Sequence, residues 1–344
     1  DLNLSGTDTL PEWDADFTHV RNVQLDTGQL IGDSGNELLQ RFPKIKKLDL
    51  TVDVQGMSAL AEKLPELAEI TELTVDGASQ TFAPQLVQAL QGMTQLEQLS
   101  LRGDIGVMDF GTLTNLRSLR LAGDLAEWPT GVSGLNRLET LDLQRMPIKS
   151  LPDELFSGRE SIWRCLQLDW AALEPQAFLK AYDYVHENPA HLVNEPQMIA
   201  QYCAGRLWKL APNDYTFASD AMARFSRDGL SGRALLEKVD ALHEQHLALT
   251  ESLDAWKGRV VRVDGRQMEV AHRELIAERI GKCARKGLRA RYFPAEPVAG
   301  PSWWQGDAVN EVLDLTGFGP LGDLPVLGDT VFPHVRSLVL TGSG

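Results

Sequence analysis

Two short stretches of this chain hold residue types that can do chemistry. In "HEQH", His243, Glu244 and His246 lie close together. Two histidines and a carboxylate suit a zinc hydrolase, but that helix needs its histidines four residues apart, and Leu247 holds the fourth place. A pair at i and i+3 reads more simply as ordinary helix surface or core, and we assign it no metal. In "GKCARKG", Cys283 is flanked by Lys282, Arg285 and Lys286. Neighbouring cations lower a thiol's pKa and make it more nucleophilic. Cations also gather in the last turn of a helix, where the dipole favours them, and that is the plainer reading. Extended by Arg289 and Arg291, the run is a solvated basic face within a segment of no net positive charge. Cys165 and Cys203 are far apart, and three cysteines so spaced give no disulfide framework or zinc motif. No catalytic, cofactor-binding or metal-binding residue emerges.

The elements that would hold functional side chains are legible as periodicity. One template, apolar-x-x-apolar-x-apolar, begins at Val20-x-x-Val23-x-Leu25 and Ile45-x-x-Leu48-x-Leu50. It continues through Ile70/Leu73/Val75, Leu96/Leu99/Leu101, Leu116/Leu119/Leu121 and Leu138/Leu141/Leu143 to a degenerate Trp163/Leu166/Leu168. Its middle positions fall at residues 2, 23, 48, 73, 99, 119, 141 and 166, at intervals of 20 to 26. The final apolar-x-apolar pair is a short strand that sends both side chains to one face. Three apolar residues, each worth about 1.5–3 kcal/mol when buried, cannot stabilise one winding alone, so successive windings must stack.

This template and interval resemble the leucine-rich-repeat family. The resemblance implies an α/β solenoid of short parallel strands. "SGNELLQRF", "MSALAEKL" and "APQLVQAL" have helical spacing, with Ser34 or Pro84 as start signals. Later windings such as "IKSLPDELF" read as extended or as a single helical turn. The family's turn residue, usually Asn or Cys, is replaced here by Gly28, Asp53, Ala78, Asp104, Asp124 and Met146. Asp can accept backbone N–H bonds, whereas Ala and Met cannot, so irregular turns are expected.

Polar strand positions then face the open concave side. They are Arg21 and Gln24, Lys47 and Asp49, Glu72 and Thr74, Gln98 and Ser100, Arg117 and Arg120, and Thr140 and Asp142. Such a face is either plain solubility or a protein-recognition surface whose charge pattern sets specificity. Arg117 and Arg120 are the first choices for a hot spot, because arginine is enriched in them.

From about residue 171 the period becomes helical. "PQAFLKAYDYVHENP", "EPQMIAQYCAGRLWKLAP", "DYTFASDAMARFSRDG", "SGRALLEKVDALHEQHLALTESLDAWKG" and "GRQMEVAHRELIAERIGKCARKG" read as five helices. "FPAEPVAGPSWWQGD" is a Pro/Gly linker, and "VNEVLDLTG" restarts the strand pattern. The expected organisation is a repeat array over residues 1–170, a helical module over 171–308, and a second array from 309 to 344. Solenoids need an atypical unit over their apolar ends, so the helices are expected to close the first array. Trp163, Trp170, Trp303 and Trp304 are expected to pack at the seams.

Residues 171–312 carry 18 Lys and Arg against 19 Asp and Glu, so nearly all of the net charge of −15 belongs to the remainder. An acidic repeat region argues against nucleic acid and for a protein partner, a basic one by its field. No apolar run approaches the ~20 residues of a membrane span. Without an initiator Met and with Leu2 already in a repeat, the chain reads as a segment of something longer.

"LDLTGFGPLGDLPVLGDTVFPHVRSLVL", "IKSLPDELF" and "AHRELIAERIGKCARKG" also resemble large bacterial leucine-rich-repeat proteins, many ending in a novel ubiquitin-ligase domain. The resemblance implies a secreted effector, delivered into a host cell, whose repeats choose or restrain a substrate. The ligase signature is a Cys with an Asp two residues on. Here Cys165 is followed at that distance by Gln167, Cys203 by Gly205 and Cys283 by Arg285, so no catalytic residue carries over. The expected function is protein recognition within a larger effector-like protein. Membership of a ligase whose cysteine lies outside this chain, ubiquitin transfer through Cys283, and a structural spacer in a giant surface protein are the alternatives.

Overall fold

A strand that alternates leucine with polar residues can hide its leucines only by pairing sideways with a copy of itself. The computed structural model of the protein, which describes residues 1–7, 17–31, 37–188, 193–210, 217–258, 262–263, 266–267, 273–282, 312–315 and 337–339, is built this way. Eight parallel strands form one sheet in chain order: β1 (Leu2–Asn3), β2 (Asn22–Asp26), β3 (Lys47–Thr51), β4 (Glu72–Thr81), β5 (Gln98–Asp104), β6 (Ser118–Ala122), β7 (Thr140–Arg145) and β8 (Leu166–Leu168). With the helices between and after these strands, the fold is α/β.

The register follows the template. Leu2 pairs with Val23, Val23 with Leu48, Leu48 with Leu73, and so on through Leu99, Leu119 and Leu141 to Leu166. All three apolar positions of every copy from Val20 to Leu168 are buried, the most exposed being Leu138 at 7%. Just before each strand from β2 to β6, one carbonyl accepts two N–H groups from the start of the next strand. Arg21 O takes Lys46 N and Lys47 N at 2.8 and 3.0 Å, and Arg117 O takes Glu139 N and Thr140 N at 2.7 and 3.0 Å.

Helix α1 (Gly56–Lys63) connects β3 to β4, and α2 (Pro84–Gln91) connects β4 to β5, with Pro84 in its first turn. "IKSLPDELF" forms a single 3-10 turn, Asp153–Phe156. "SGNELLQRF" ends in a 3-10 turn at Leu39–Arg41, and Ser34 lies outside the described residues.

The turns are irregular, as their composition predicts. Asp53 Oδ1 accepts Gly56 N at 2.6 Å and Asp104 Oδ1 accepts Gly106 N at 3.0 Å. Ala78 has a φ of 52°, and the β4–β5 register shifts between Asp76 and Thr81. Other turn carbonyls are held by side chains that precede the next strand. Gln95 Nε2 donates to Leu67 O at 3.1 Å and Asn115 Nδ2 to Thr94 O at 3.0 Å.

By its contacts the chain divides into Asp1–Met198 and Ile199–Gly344. In the first unit α3 (Glu160–Cys165) precedes β8, and α4 (Pro175–Glu187) follows it. The Tyr184 ring of α4 lies 5.2 Å from Trp163 and 5.4 Å from Phe156, and Phe178 meets Trp170 edge-on. Trp163, fully buried, donates from Nε1 to Leu155 O at 2.7 Å. Both described seam tryptophans therefore pack, while Trp303 and Trp304 lie outside the described residues.

Helix α5 (Glu195–Trp208) runs across the division. The second unit holds α6 (Phe217–Arg227), the long α7 (Gly232–Gly258) and a helical segment at 273–282. The buried side of α7 includes Leu235, Val239, Leu242, His246, Leu249 and Leu253, at helical spacing. Strands β9 (Arg262–Val263) and β10 (Arg266–Gln267) pair antiparallel. Strands β11 (Val312–Asp314) and β12 (Ser337–Val339) pair in parallel, so strands do resume after the helices.

The ends of β5 and β6 touch through glycine. A Cβ on Gly123 would sit 2.3 Å from the carbonyl oxygen of Gly103, itself at a φ of +141°. Gly123→Ala is expected to destabilise the fold by about 1–3 kcal/mol in urea unfolding. Gly134→Ala, where an added Cβ meets no atom within 4 Å, should change it by less than about 0.5 kcal/mol.

Candidate functional site

With the leucines turned inward, the alternate positions stand in straight rows across the opposite sheet face. One row runs Asn22, Lys47, Glu72, Gln98, Ser118, Thr140, each directly paired with the next. A second runs Gln24, Asp49, Thr74, Ser100, Arg120, Asp142 and ends at Gln167. Ten of the twelve residues read from the sequence occupy these rows. Arg21 and Arg117 do not. Each stands one residue before its strand, out of phase with the rows, in the hydrogen-bond ladder that begins the strands. Arg117 Nη1 is held by Glu139 Oε1 at 2.7 Å, and Arg21 Nη1 donates to Thr18 O at 3.0 Å. The structure does not bring Arg117 together with Arg120.

A third row, which the six-residue template omits, runs Asp26, Thr51, Asp76, Arg102, Ala122 and Arg145. Arg102 follows Leu101, the last template leucine before it, so extending the template by one position finds it. Arg145 is out of phase in β7. It reaches this row because the β6–β7 register shifts between Arg120 and Ala122. Such a bulge re-aims a side chain, and nothing in the sequence marks it.

The second and third rows enclose a cavity of about 390 Å³ over β4–β7, bounded by Arg102, Arg120 and Arg145 together with Asp76 and Asp142. A smaller depression of about 80 Å³ joins it along Thr74, Ser100 and Arg120 and reaches Lys47 and Glu72. Arg102 pairs with Asp76 at 3.3 Å. Asp142 Oδ1 accepts Gln144 N at 3.1 Å. Lys47 and Asp49 form a 3.5 Å pair within β3. The side chains of Arg120 and Arg145 make no ion pair or hydrogen bond among the described residues.

A larger groove of about 820 Å³ lies between α1 and α2, along Ala61, Leu64, Pro65, Ala89 and Met93. Glu62 is its one ionisable lining residue, so it offers shape without chemistry.

Cys203 is buried, and burial, with Asp240 adding to it, pushes its thiol up to about 12. Burial pushes Cys165 up to about 11. Neither is a thiolate near neutral pH. Cys283, Arg285, Lys286, Arg289 and Arg291 lie outside the described residues. Among the described residues, no group of three or more His, Cys, Asp or Glu is placed to hold a metal, and no helix is long and apolar enough to cross a membrane.

His243 and His246 are both buried on α7. Nearby, Tyr202 Oη donates to Asp240 Oδ1 at 2.6 Å, and the Arg206 guanidinium lies 4.8 Å over the Tyr202 ring. Burial raises the Asp240 carboxyl despite this bond and despite Arg206. Burial, then the charges of Arg206 and Lys209, lowers His243 to about 4. This polar cluster ties α5 to α7.

Compared with known proteins, the chain matches no family model and no curated protein.

Two outcomes follow from these groups. His243 is held neutral, so unfolding takes up a proton below its ordinary pKa of 6.5, and its contribution to stability falls between pH 6.5 and about 4. The loss approaches ~1.4 kcal/mol per pH unit. Asp240 runs the opposite way, so the contribution is isolated by comparison: His243→Leu should flatten the pH dependence of urea unfolding by about one proton. Separately, Cys203 should resist a thiol-alkylating reagent at pH 8 in the folded protein and react once urea is added, as peptide mass mapping will show.

Proposed function

We propose that Asp1–Met198 is a leucine-rich-repeat solenoid whose polar sheet face recognises a protein partner, within a larger bacterial effector-like protein. The observation that carries this reading is the pair of straight polar rows, fixed from behind by fully buried leucines. A backbone held in register loses little freedom on binding, which is what recognition by a charge pattern needs. Strand intervals of 20 to 26 residues and helical or 3-10 connections support the solenoid. In this reading α4 covers the last winding through Trp163, Trp170 and Tyr184, and β11 with β12 begins a further array. The raised thiols of Cys165 and Cys203 favour recognition over transfer chemistry for these residues, and a ligase cysteine would then lie outside this chain.

The test is comparative capture from a eukaryotic cell lysate, quantified by mass spectrometry. Lys47→Glu with Glu72→Lys should deplete the captured partner at least about tenfold, a loss typical of altered interface charges. Lys180→Glu, on α4 and away from the sheet face, should leave capture unchanged. Equal capture by wild type and the sheet-face variant would overturn the reading.

A further inference from the structure

We infer that the cavity over β4–β7 is an oxyanion-binding subsite, receiving a carboxylate or phosphoryl group carried on a polypeptide. The inference rests on the proposed recognition face and names the chemistry of what that face takes in. Its geometry comes from the register. Ala122 of β6 is paired on one side with Arg102 of β5 and on the other with Arg145 of β7. Strands are spaced by about 4.8 Å, so the two arginine backbones stand roughly 10 Å apart across a floor that carries only a methyl group. Arg120, two residues before Ala122 on β6, closes the third side. A guanidinium presents a planar fork of N–H donors that matches the two oxygens of a carboxylate or the edge of a phosphate.

The charge balance agrees. Three guanidiniums face two carboxylates around the cavity, and Asp76 is engaged with Arg102. Arg120 and Arg145 keep their donors unspent among the described residues. Asp142 stands directly opposite Arg120 in the register yet forms no ion pair with it, and accepts instead from the backbone of Gln144. A local cationic pocket on an otherwise acidic segment is the reverse of what net charge alone implies. At about 390 Å³ it exceeds a lone anion and falls in the range of pockets that hold a small organic group. That space favours an anion on a side chain with some of its flanking main chain. The hydroxyls of Thr74 and Ser100, at the cavity's β4–β5 side, supply further donors.

The experiment uses the full chain and three labelled Gly/Ser decapeptides, with a central glutamate, phosphoserine or glutamine, followed by fluorescence polarisation at low salt. Inorganic phosphate is the competitor. Both anionic peptides should bind more tightly than the glutamine peptide, and phosphate should displace them. Arg120→Gln and Arg145→Gln should each weaken binding about tenfold, as expected for losing one charge-assisted bidentate contact. Arg137→Gln, whose Nη1 donates to Asn115 away from the cavity, should have no effect. A tighter phosphoserine peptide assigns the site to a phosphoryl group, and a glutamate peptide of equal or greater affinity assigns it to a carboxylate. Equal affinity for the neutral peptide, or undiminished binding by the Arg120→Gln/Arg145→Gln double variant, overturns the subsite. If that happens while Lys47→Glu/Glu72→Lys still abolishes partner capture, the recognition face stands and only the subsite falls. If capture also survives, both fall.

Discussion

The structure depends on one steric constraint, the two-residue period of a strand whose alternate side chains have nowhere to go but inward. Val23, Leu48, Leu73, Leu99, Leu119 and Leu141 are each directly paired with the next, and each is at most 2% exposed. A slip of one residue at any junction would turn two leucines to solvent and two polar groups into the core. That penalty fixes the register, and the register fixes the opposite face. The rows of polar residues are thus a by-product of hydrophobic packing, and their spacing is as rigid as the packing that sets it.

This is why so much was legible in the sequence. Burial acts position by position, so a template of three apolar residues predicts all eight strands and the pairing of their middle residues. Helices α2 and α4 were equally plain, because Pro84 and Pro175 stand in their first turns and a proline there costs no hydrogen bond. The change of period at residue 171 marks where strands give way to helices. The division by contacts comes later, inside α5, because α4 packs on the aromatic side chains of Phe156, Trp163 and Trp170.

What stayed hidden depended on geometry between neighbouring strands. Arg117 and Arg120 look equivalent in "LRSLRL", yet one belongs to the ladder before the strand and the other to the sheet face. Two positions cannot resolve phase when the strand's first residue is unknown, and β6 begins at Ser118. Ala78, in a left-handed conformation, lies in a stretch where the five steps from Asp76 to Thr81 run beside only two on β5, from Arg102 to Asp104. The shift at Ala122 is the consequential one. The apolar residues of β7 keep their burial through Leu143, and the extra residue is absorbed just after it, at Gln144 and Arg145. Sequence periodicity records where the core needs a leucine. It does not record where the backbone takes up slack once the core is satisfied.

That slack also reconciles two opposed electrostatic signals. The charge outside the helical stretch is strongly negative, and at distances beyond a Debye length, about 8 Å at physiological salt, only such net fields are felt. They favour the approach of a basic partner. At contact, desolvation and hydrogen bonding take over, and the groups offered over β5–β7 are three guanidiniums against the one carboxylate of Asp142. A carboxylate or phosphoryl group seated between Arg102, Arg120 and Arg145 therefore fits best when the residues around it are basic, drawn by Asp49, Glu72 and Asp76 on the neighbouring strands. Added salt would then act twice, weakening the approach of the basic flank and the grip on the anion.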